Sequence, residues 1–392
     1  MAQSILSNIP RLYVIKIAKW FMLFMPVIVL FYQENGLSLE DVFLLQGIYS
    51  IAVVLLEIPS GYFADVWGRK FTIIAGSILG VVGFIIYVLT SGFWGFLIAE
   101  LILGIGQSFI SGSDSALLYD SLLFEKKEKE YIKIEGRIIS IGNFAESIAA
   151  VAGGYLAEIS LRMPFIVQIG IAILAVPAAI TLVEPKLFNK HKASLTQILF
   201  VVKNTLFKDK LLQSNILYSS VIGTATLTFA WFVQPYLKMI DYSVTRIGII
   251  WAFLNLTVAF STLFAYRIEE LLGKTKTIIA ISLIISAGYF ATGIGGPTTA
   301  VVFMFVLYLG RGIATPVLKD YINRLTTSNI RATVLSVRNF TIRFLFAVLG
   351  PFLGWYSDKF SIKTALWLAG IIFFTISIAA VIQLIIVEKK QR

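Results

Sequence analysis

The chain has 392 residues, of which 58% are hydrophobic and 14% charged. Soluble domains carry roughly 25% charged residues, so a soluble fold could not hide this much apolar side chain, and part of the solvent must be lipid. The formal net charge of +11 would suit nucleic-acid binding, but basic residues also collect in the cytoplasmic loops of membrane proteins, which is the simpler interpretation. The absence of cysteine and the single histidine, His191, exclude thiolate metal sites and disulfides.

Apolar runs long enough to cross a bilayer recur along the whole chain. Helices satisfy their own backbone hydrogen bonds in lipid, and these runs lack the alternation expected of β-barrel strands. We therefore predict an all-α membrane protein with about twelve transmembrane helices. The predicted spans are 12–33, 40–64, 71–91, 93–121, 137–159, 163–184, 211–237, 243–266, 275–294, 297–322, 331–356 and 361–387.

Lysine and arginine are distributed unevenly between the turns. The turns after even-numbered spans are rich in basic residues, for example Arg69, Lys70 and Lys127, whereas the turns after odd-numbered spans hold few. By the positive-inside rule, the even turns and both termini face the cytoplasm. We expect a multi-pass protein of the cytoplasmic (inner) membrane, surrounded by the lipid bilayer.

The longest break between spans lies near the middle of the chain and contains Pro185 and several lysines. We predict an N-terminal six-helix bundle (1–184), a cytoplasmic linker (185–210) and a C-terminal six-helix bundle (211–392). The linker is either an amphipathic helix on the membrane surface or a flexible tether. Short matches at equivalent spans, such as LGIG at 103–106 and LGRG at 309–312, indicate that the two bundles are pseudo-symmetric repeats.

The turn after the second span reads GYFADVWGRK (61–70). This segment resembles the G-x-x-x-D-x-x-G-R-K/R loop of the major facilitator superfamily, and with the preceding EIPS it is most similar to the drug and metabolite exporter branch. A degenerate copy of this motif, YRIEELLGK (266–274), follows the eighth span. The resemblance implies a secondary transporter fold of two six-helix bundles.

The same resemblance implies a cytoplasmic gate. The gating set is Gly61, Asp65, Gly68, Arg69, Lys70 and Asp120. The glycines permit a tight turn, Asp65 can accept hydrogen bonds at a helix N-terminus, which the resemblance places at span 11, and Arg69 can pair with an acid at the end of span 4. Asp120 is the best placed acid. The alternative is that the loop only fixes topology and helix packing.

Polar residues of span 4 recur at steps of three and four, which places them on one face of a helix. They are Glu100, Gly104, Gln107, Ser111 and Asp114. In the superfamily that the chain resembles, spans 1, 4, 7 and 10 line the central cavity, so this face is expected to meet the substrate. The alternative is that Gln107 and Ser111 hydrogen-bond within a packed helix pair.

Other candidates come from the remaining cavity spans. The predicted substrate-binding residues are Lys19, Trp20, Gln107, Ser111, Asp114, Tyr218, Trp231, Gln234, Arg311 and Thr315. Lys16 is expected to reach towards the cytoplasmic interface instead. A desolvated carboxylate can carry a proton in each transport cycle. The proton-coupling candidates are Glu57, Glu100, Asp114 and Glu146.

The function predicted first is proton-coupled efflux of small organic or amphipathic molecules. Departures from the exporter motifs, such as Glu100 where the family often has arginine, weaken that interpretation. The alternative is a carrier of a specific polar or anionic metabolite such as a sugar, peptide or siderophore, which Lys19, Arg311, Arg338 and Arg343 favour. A membrane receptor or enzyme is least expected, since no nucleophile–base set, metal cluster or P-loop is apparent. We expect no cofactor, no nucleic-acid partner and a monomer.

Overall fold

The computed structural model describes residues 5–185, 209–326 and 328–391. Within these residues the secondary structure is helical throughout and no strand forms. The all-α prediction is confirmed. The predicted linker lies almost entirely outside the described residues, and so does His191.

The first half of the chain forms eight helices between a short 3₁₀ turn at Ile5–Ser7 and residue 180. They are α1 (Asn8–Trp20), α2 (Ile28–Glu34), α3 (Leu39–Trp67), α4 (Arg69–Leu89), α5 (Gly92–Ile110), α6 (Ser113–Phe124), α7 (Tyr131–Ile159) and α8 (Met163–Ile180). A second 3₁₀ turn, Glu128–Glu130, precedes α7.

The described residues from 209 onwards form five helices of 28 or more residues. They are α9 (Lys210–Met239), α10 (Val244–Ile294), α11 (Pro297–Arg324), α12 (Ser328–Lys359) and α13 (Ile362–Gln391). The 51-residue α10 is two helices that meet at Gly273, whose φ of 72° is left-handed. The degenerate copy of the signature loop therefore contains a helix kink at Gly273, where glycine tolerates the positive φ.

Nine helical stretches among the described residues are long and apolar enough to cross a membrane. One of them is α10, which contains two of the predicted spans, and another joins α5 and α6. The helices α1 and α2 are each too short alone, with 13 and 7 residues, but together they occupy the first predicted span. With α7, the helices account for the twelve predicted spans.

Spans 1 and 4 are broken, whereas continuous helices were expected at 12–33 and 93–121. Span 1 loses its helix between Trp20 and Ile28, where Pro26 lacks an N–H and disfavours helical geometry in the preceding residue. The freed amide of Leu23 donates to Gln168 Oε1 at 2.9 Å. Span 4 breaks at Gly112, which has a positive φ of 80° and immediately precedes a second helix. Both breaks border the site described below.

The chain divides into two compact units. Unit 1 holds the described residues of Met1–Leu37, Ile48–Lys192 and Ser243–Ala252, and unit 2 holds those of Ser38–Gly47, Ala193–Tyr242 and Phe253–Arg392. Each unit thus includes the start of a helix that continues in the other. The predicted domain limits at 184 and 211 stay predictions, because the segment between them lies mostly outside the described residues.

The two exchanged helix starts are held by carboxylates of the unit they join. In unit 2, Asp358 at the end of α12 accepts hydrogen bonds from the backbone amides of Leu39 and Glu40, at 3.1 and 2.8 Å. In unit 1, Glu158 at the end of α7 accepts from the amide and hydroxyl of Thr245, at 3.1 and 2.9 Å. Each acid satisfies amides that a helix N-terminus leaves unpaired.

Candidate functional site

A polar cavity of about 490 Å³ lies inside unit 1. It is built from α1, the break between α5 and α6, and α7. Its charged and polar lining includes Lys16, Lys19, Trp20, Gln107, Asp114 and Glu146. Ser111 and Gly112, at the helix break, complete the wall beside Gln107. The broken span therefore presents side chains from two successive helices to one space.

The lining of α1 follows from its residue spacing. Lys16, Lys19 and Trp20 share one face, since positions three and four apart are neighbours on a helix. Leu12, Ile15 and Ala18 of the same helix are buried. Burial of these apolar side chains holds the helix with its two lysines turned to the cavity.

The cavity contains an ion pair. Lys16 Nζ lies 3.7 Å from Asp114 Oδ2, with only 12% and 14% of the two side chains exposed. The ammonium also lies 5.4 Å from the Trp20 ring centroid, within range of a cation–π interaction. Lys16 therefore has a carboxylate and an aromatic face as neighbours, and its reach towards the cytoplasmic interface stays a prediction.

Lys19 faces the same cavity and also interacts electrostatically with Asp114, but at longer range than Lys16 does. Among the residues that the structure describes, no carboxylate oxygen lies within 4.0 Å of its ammonium. Glu146 lines the cavity from α7. The lining therefore offers both signs of charge to a bound molecule.

A smaller recess of about 140 Å³ adjoins the polar cavity and shares Lys19 and Gln107 with it. The rest of its wall is mainly apolar, with side chains that include Phe24, Phe84 and Leu103. A charged space beside an apolar one suits a molecule with a polar and an apolar end.

Glu100 lies away from both cavities. It is 5% exposed and accepts a hydrogen bond from Tyr32 Oη at 2.7 Å, and Tyr32 is in turn hydrogen-bonded to Tyr87. The rings of Phe31 and Phe96 pack around the two tyrosines. The predicted polar face of span 4 is thus divided. Gln107, Ser111 and Asp114 reach the cavity, whereas Glu100 joins a buried tyrosine network.

Gly104, the remaining member of that predicted face, packs against Tyr49 and Val53 of α3, about 3.5 Å from where a Cβ would stand. The first helix of span 4 ends at Ile110, and Ser111 is its C-cap. Asp114 belongs to the next helix, so the predicted spacing of three and four residues does not place it on the same helix face. Asp114 nevertheless enters the cavity from the next helix.

The candidates of spans 7 and 10 lie in unit 2. Tyr218 is buried and its hydroxyl donates to the Ile278 carbonyl at 2.6 Å, which is a packing role. Trp231 and Gln234 are also buried. Arg311 stacks over Tyr308 of its own helix at 5.5 Å. The exposed Thr315 donates to the Arg311 carbonyl at 2.9 Å.

The signature loop forms an ion pair between Arg69 and Asp120. Arg69 Nη1 also donates to the Ala116 carbonyl at 2.5 Å. Gly68 precedes α4 with a left-handed φ of 98°. Glu57, Gly61 and Asp65 lie on α3, but the structure describes nothing beyond their backbone, so their predicted roles stay predictions.

Two important residues were missed by sequence reasoning. Glu184 accepts hydrogen bonds from the amides of Arg69 and Lys70, at 3.1 and 2.7 Å, at the N-terminus of α4. Arg162 donates to the carbonyls of Val88 and Thr90 at the C-terminus of the same helix, at 2.5 and 3.0 Å. An acid at the end of span 6 and a base after span 5 are the only sequence signals. Both are typical of charges that complement helix dipoles.

No group of three or more His, Asp and Glu side chains in the described parts of the chain could hold a metal ion. A helical membrane protein with a charged cavity inside it is a solute transporter in its architecture.

The chain belongs to the major facilitator superfamily, since the family model for the Major Facilitator Superfamily matches residues 14–351. It is a membrane transporter of this superfamily and not an enzyme.

Several known proteins are related to the chain in sequence, and two of them are described here. The chain is 27% identical over 272 residues to an uncharacterised MFS-type transporter of Methanocaldococcus jannaschii, and the match covers 68% of each chain. It is 23% identical over 387 residues to the quinolone resistance protein NorA of Staphylococcus aureus, covering 94% and 93% of the two chains.

Solved structures resemble the chain over nearly its whole length. A mutant of the nucleoside transporter NupG superposes with a TM-score of 0.82 at 15% identity, covering 98% of this chain and 100% of that one. A bacterial homologue of the human lysosomal transporter Spinster superposes with a TM-score of 0.75 at 17% identity, covering 99% and 96%. At these identities the likeness shows the fold alone.

Proposed function

We propose that the protein exports small amphipathic organic molecules in exchange for protons, by alternating access across the cytoplasmic membrane. The observation that carries this proposal is the charged cavity of unit 1 with its apolar recess. The two spaces would take the polar and apolar ends of one solute. The similarity to NorA over nearly the whole chain supports efflux.

Proton coupling rests on carboxylates at or near the cavity. Asp114 is paired with Lys16, and Glu146 lines the same space. A carboxylate that alternates between a paired, ionised state and a protonated state can exchange a proton for a solute. Glu100 is a candidate of another kind, because its buried contact to Tyr32 separates it from the cavity.

The test is uphill transport in proteoliposomes. We would measure accumulation of norfloxacin, a quinolone, and of ethidium with and without a pH gradient, for the wild type and for Asp114→Asn, Glu146→Gln and Glu100→Gln. We expect gradient-driven accumulation in the wild type and a loss of at least about tenfold in one variant. Glu130→Gln removes the same charge at an exposed turn and serves as the control. Accumulation that ignores the gradient would refute proton coupling.

The second candidate function is transport of a specific polar or anionic metabolite. The second ammonium in the cavity, that of Lys19, favours it, because Asp114 is already in an ion pair with Lys16. Counterflow of labelled nucleosides, peptides and organic acids would separate the two functions. Exchange of one class alone, with neither drug accumulated, would replace the efflux proposal.

A further inference from the structure

Arg338, on α12 in unit 2, is a deeply buried cation. Only 6% of the residue is exposed. Its Nε donates to Ser219 Oγ at 2.5 Å, and its Nη1 donates to Asn339 Oδ1 at 3.2 Å. Both acceptors are neutral oxygens. The guanidinium is therefore hydrogen-bonded but its charge is not neutralised by these contacts.

No carboxylate balances this charge in the described part of the chain. Ion pairs seen there include Lys16–Asp114, Arg69–Asp120, Lys274–Glu388 and Asp320–Arg324, and Arg338 belongs to none of these. An arginine does not lose its proton in proteins, so burial does not relieve the charge as it can for lysine. A buried charge without a counter-ion is costly unless an anion joins it.

A second cation lies near the first. Lys319, on α11, is exposed and interacts electrostatically with Arg338 as a like charge. The adjacent acid, Asp320, is held by Arg324 of its own helix, with Nε 2.6 Å from Oδ2. The sole acid beside Lys319 in sequence is thus already paired with another cation.

Other cations of unit 2 are compensated differently. Lys274 pairs with Glu388 and lies 5.1 Å from the Tyr321 ring. Arg311 stacks on Tyr308. Arg338 and Lys319, by contrast, bring two like charges together with no ion pair to an acid among the described residues. Such a group repels itself until an anion binds.

We propose that Arg338 and Lys319 form an anion site within unit 2 that takes the carboxylate of an organic anion, so that molecules with a carboxylate are among those transported. The inference rests on the proposed function as a transporter and specifies its substrate class. Nη2 of Arg338 has no acceptor among the described residues. It can form one arm of the two-pronged contact that arginine makes with carboxylates. Lys319 then supplies a point charge from the exposed side.

The first test measures binding to the purified full-length protein in detergent. Thermal shifts would be compared for carboxylates and their carboxamides, namely benzoate with benzamide and indole-3-acetate with indole-3-acetamide, with ionic strength held constant by sodium chloride. We expect stabilisation by the acids and not by the amides. In Arg338→Gln and in Lys319→Gln, half-maximal stabilisation should need at least about ten times more acid, because one charge of the site is removed.

The matched control is Arg331→Gln, which removes the same charge from an exposed position on the same helix. It should leave the response to carboxylates unchanged. Arg338→Lys keeps the charge but loses the planar fork, and should bind carboxylates with intermediate affinity. Since Lys319 is exposed, its variant tests the site even if Arg338→Gln fails to fold.

Three outcomes would overturn the proposal: equal shifts by acids and amides, unchanged binding in Lys319→Gln, or competition by chloride as strong as that by benzoate.

A transport measurement separates failure of the anion site from failure of the proposed function. If proteoliposomes accumulate carboxylates and neither Arg338→Gln nor Lys319→Gln alters their accumulation, the anion site is refuted while export stands. If no compound is transported by the wild type, the proposed function fails.

Discussion

Buried and half-buried charges of unit 1 have four kinds of neighbour, namely carboxylates, aromatic rings, hydroxyls and main-chain carbonyls. Lys16 has a carboxylate and an indole face. Glu100 has a tyrosine hydroxyl. Arg162 has several main-chain carbonyls and the Phe31 ring at 5.2 Å. Because each charge is satisfied where it lies, polar residues can occur in a membrane protein without unfolding it.

The ion pair between Lys16 and Asp114 is expected to contribute to the stability of the protein. Lys16→Gln or Asp114→Asn alone leaves a charge poorly compensated, and each should lower the melting temperature in detergent. The double variant should recover part of the loss, with a coupling energy of roughly 1–3 kcal/mol. Lys129→Gln, on an exposed turn, is the control. Strictly additive losses would mean that the pair seen in the structure contributes nothing.

At the scale of elements, helix termini are held by charges from other helices. The amides at the start of α3, α4 and α10 meet Asp358, Glu184 and Glu158. The far end of α4 is held by Arg162. An acid at the start of a helix and a base at its end both interact favourably with the helix macrodipole. These contacts join segments far apart in sequence, so they stabilise packing as well as the helices.

Removal of these carboxylates should destabilise the protein by similar amounts. We expect Glu184→Gln and Glu158→Gln each to cost about 1 kcal/mol of unfolding free energy, the usual value of a charged cap. The measurement is thermal or denaturant unfolding followed by intrinsic fluorescence. Glu270→Gln, on an exposed helix surface, should have little effect. Equal stability of all three variants would show that the acids are not functional caps.

For the whole molecule, the distribution of basic residues sets the expected orientation. The turn between α6 and α7 holds Lys126, Lys127 and Lys129, whereas the turn between α9 and α10 holds no lysine or arginine after Lys238. Basic turns remain on the cytoplasmic side during insertion. The second turn is expected on the outside.

The absence of cysteine allows this orientation to be tested directly. Single variants Lys129→Cys and Ser243→Cys would be treated with a membrane-impermeant maleimide in intact and in permeabilised cells. We expect Ser243→Cys to react in both and Lys129→Cys only after permeabilisation. The reverse labelling pattern would place the termini outside and contradict the predicted topology.

The accuracy of the sequence-based predictions differs between helix positions, side-chain contacts and helix breaks. The apolar runs predicted α4, α8 and α13 to within a few residues, because hydropathy is a local property. The pairing of Arg69 with Asp120 was also expected from the signature loop and is present. The break at Gly112 was not expected, since a lone glycine within an apolar run does not show which φ it adopts.

Sequence by itself determined the membrane environment, the twelve spans and the superfamily, since each depends on composition, periodicity or a contiguous motif. Only the tertiary structure decided which charges meet. Lys16 reaches Asp114, Glu100 turns to Tyr32, and Arg338 is buried beside Ser219. These contacts depend on the rotation and the breaks of helices far apart in sequence. Those are set by close packing of whole elements, which no local pattern records.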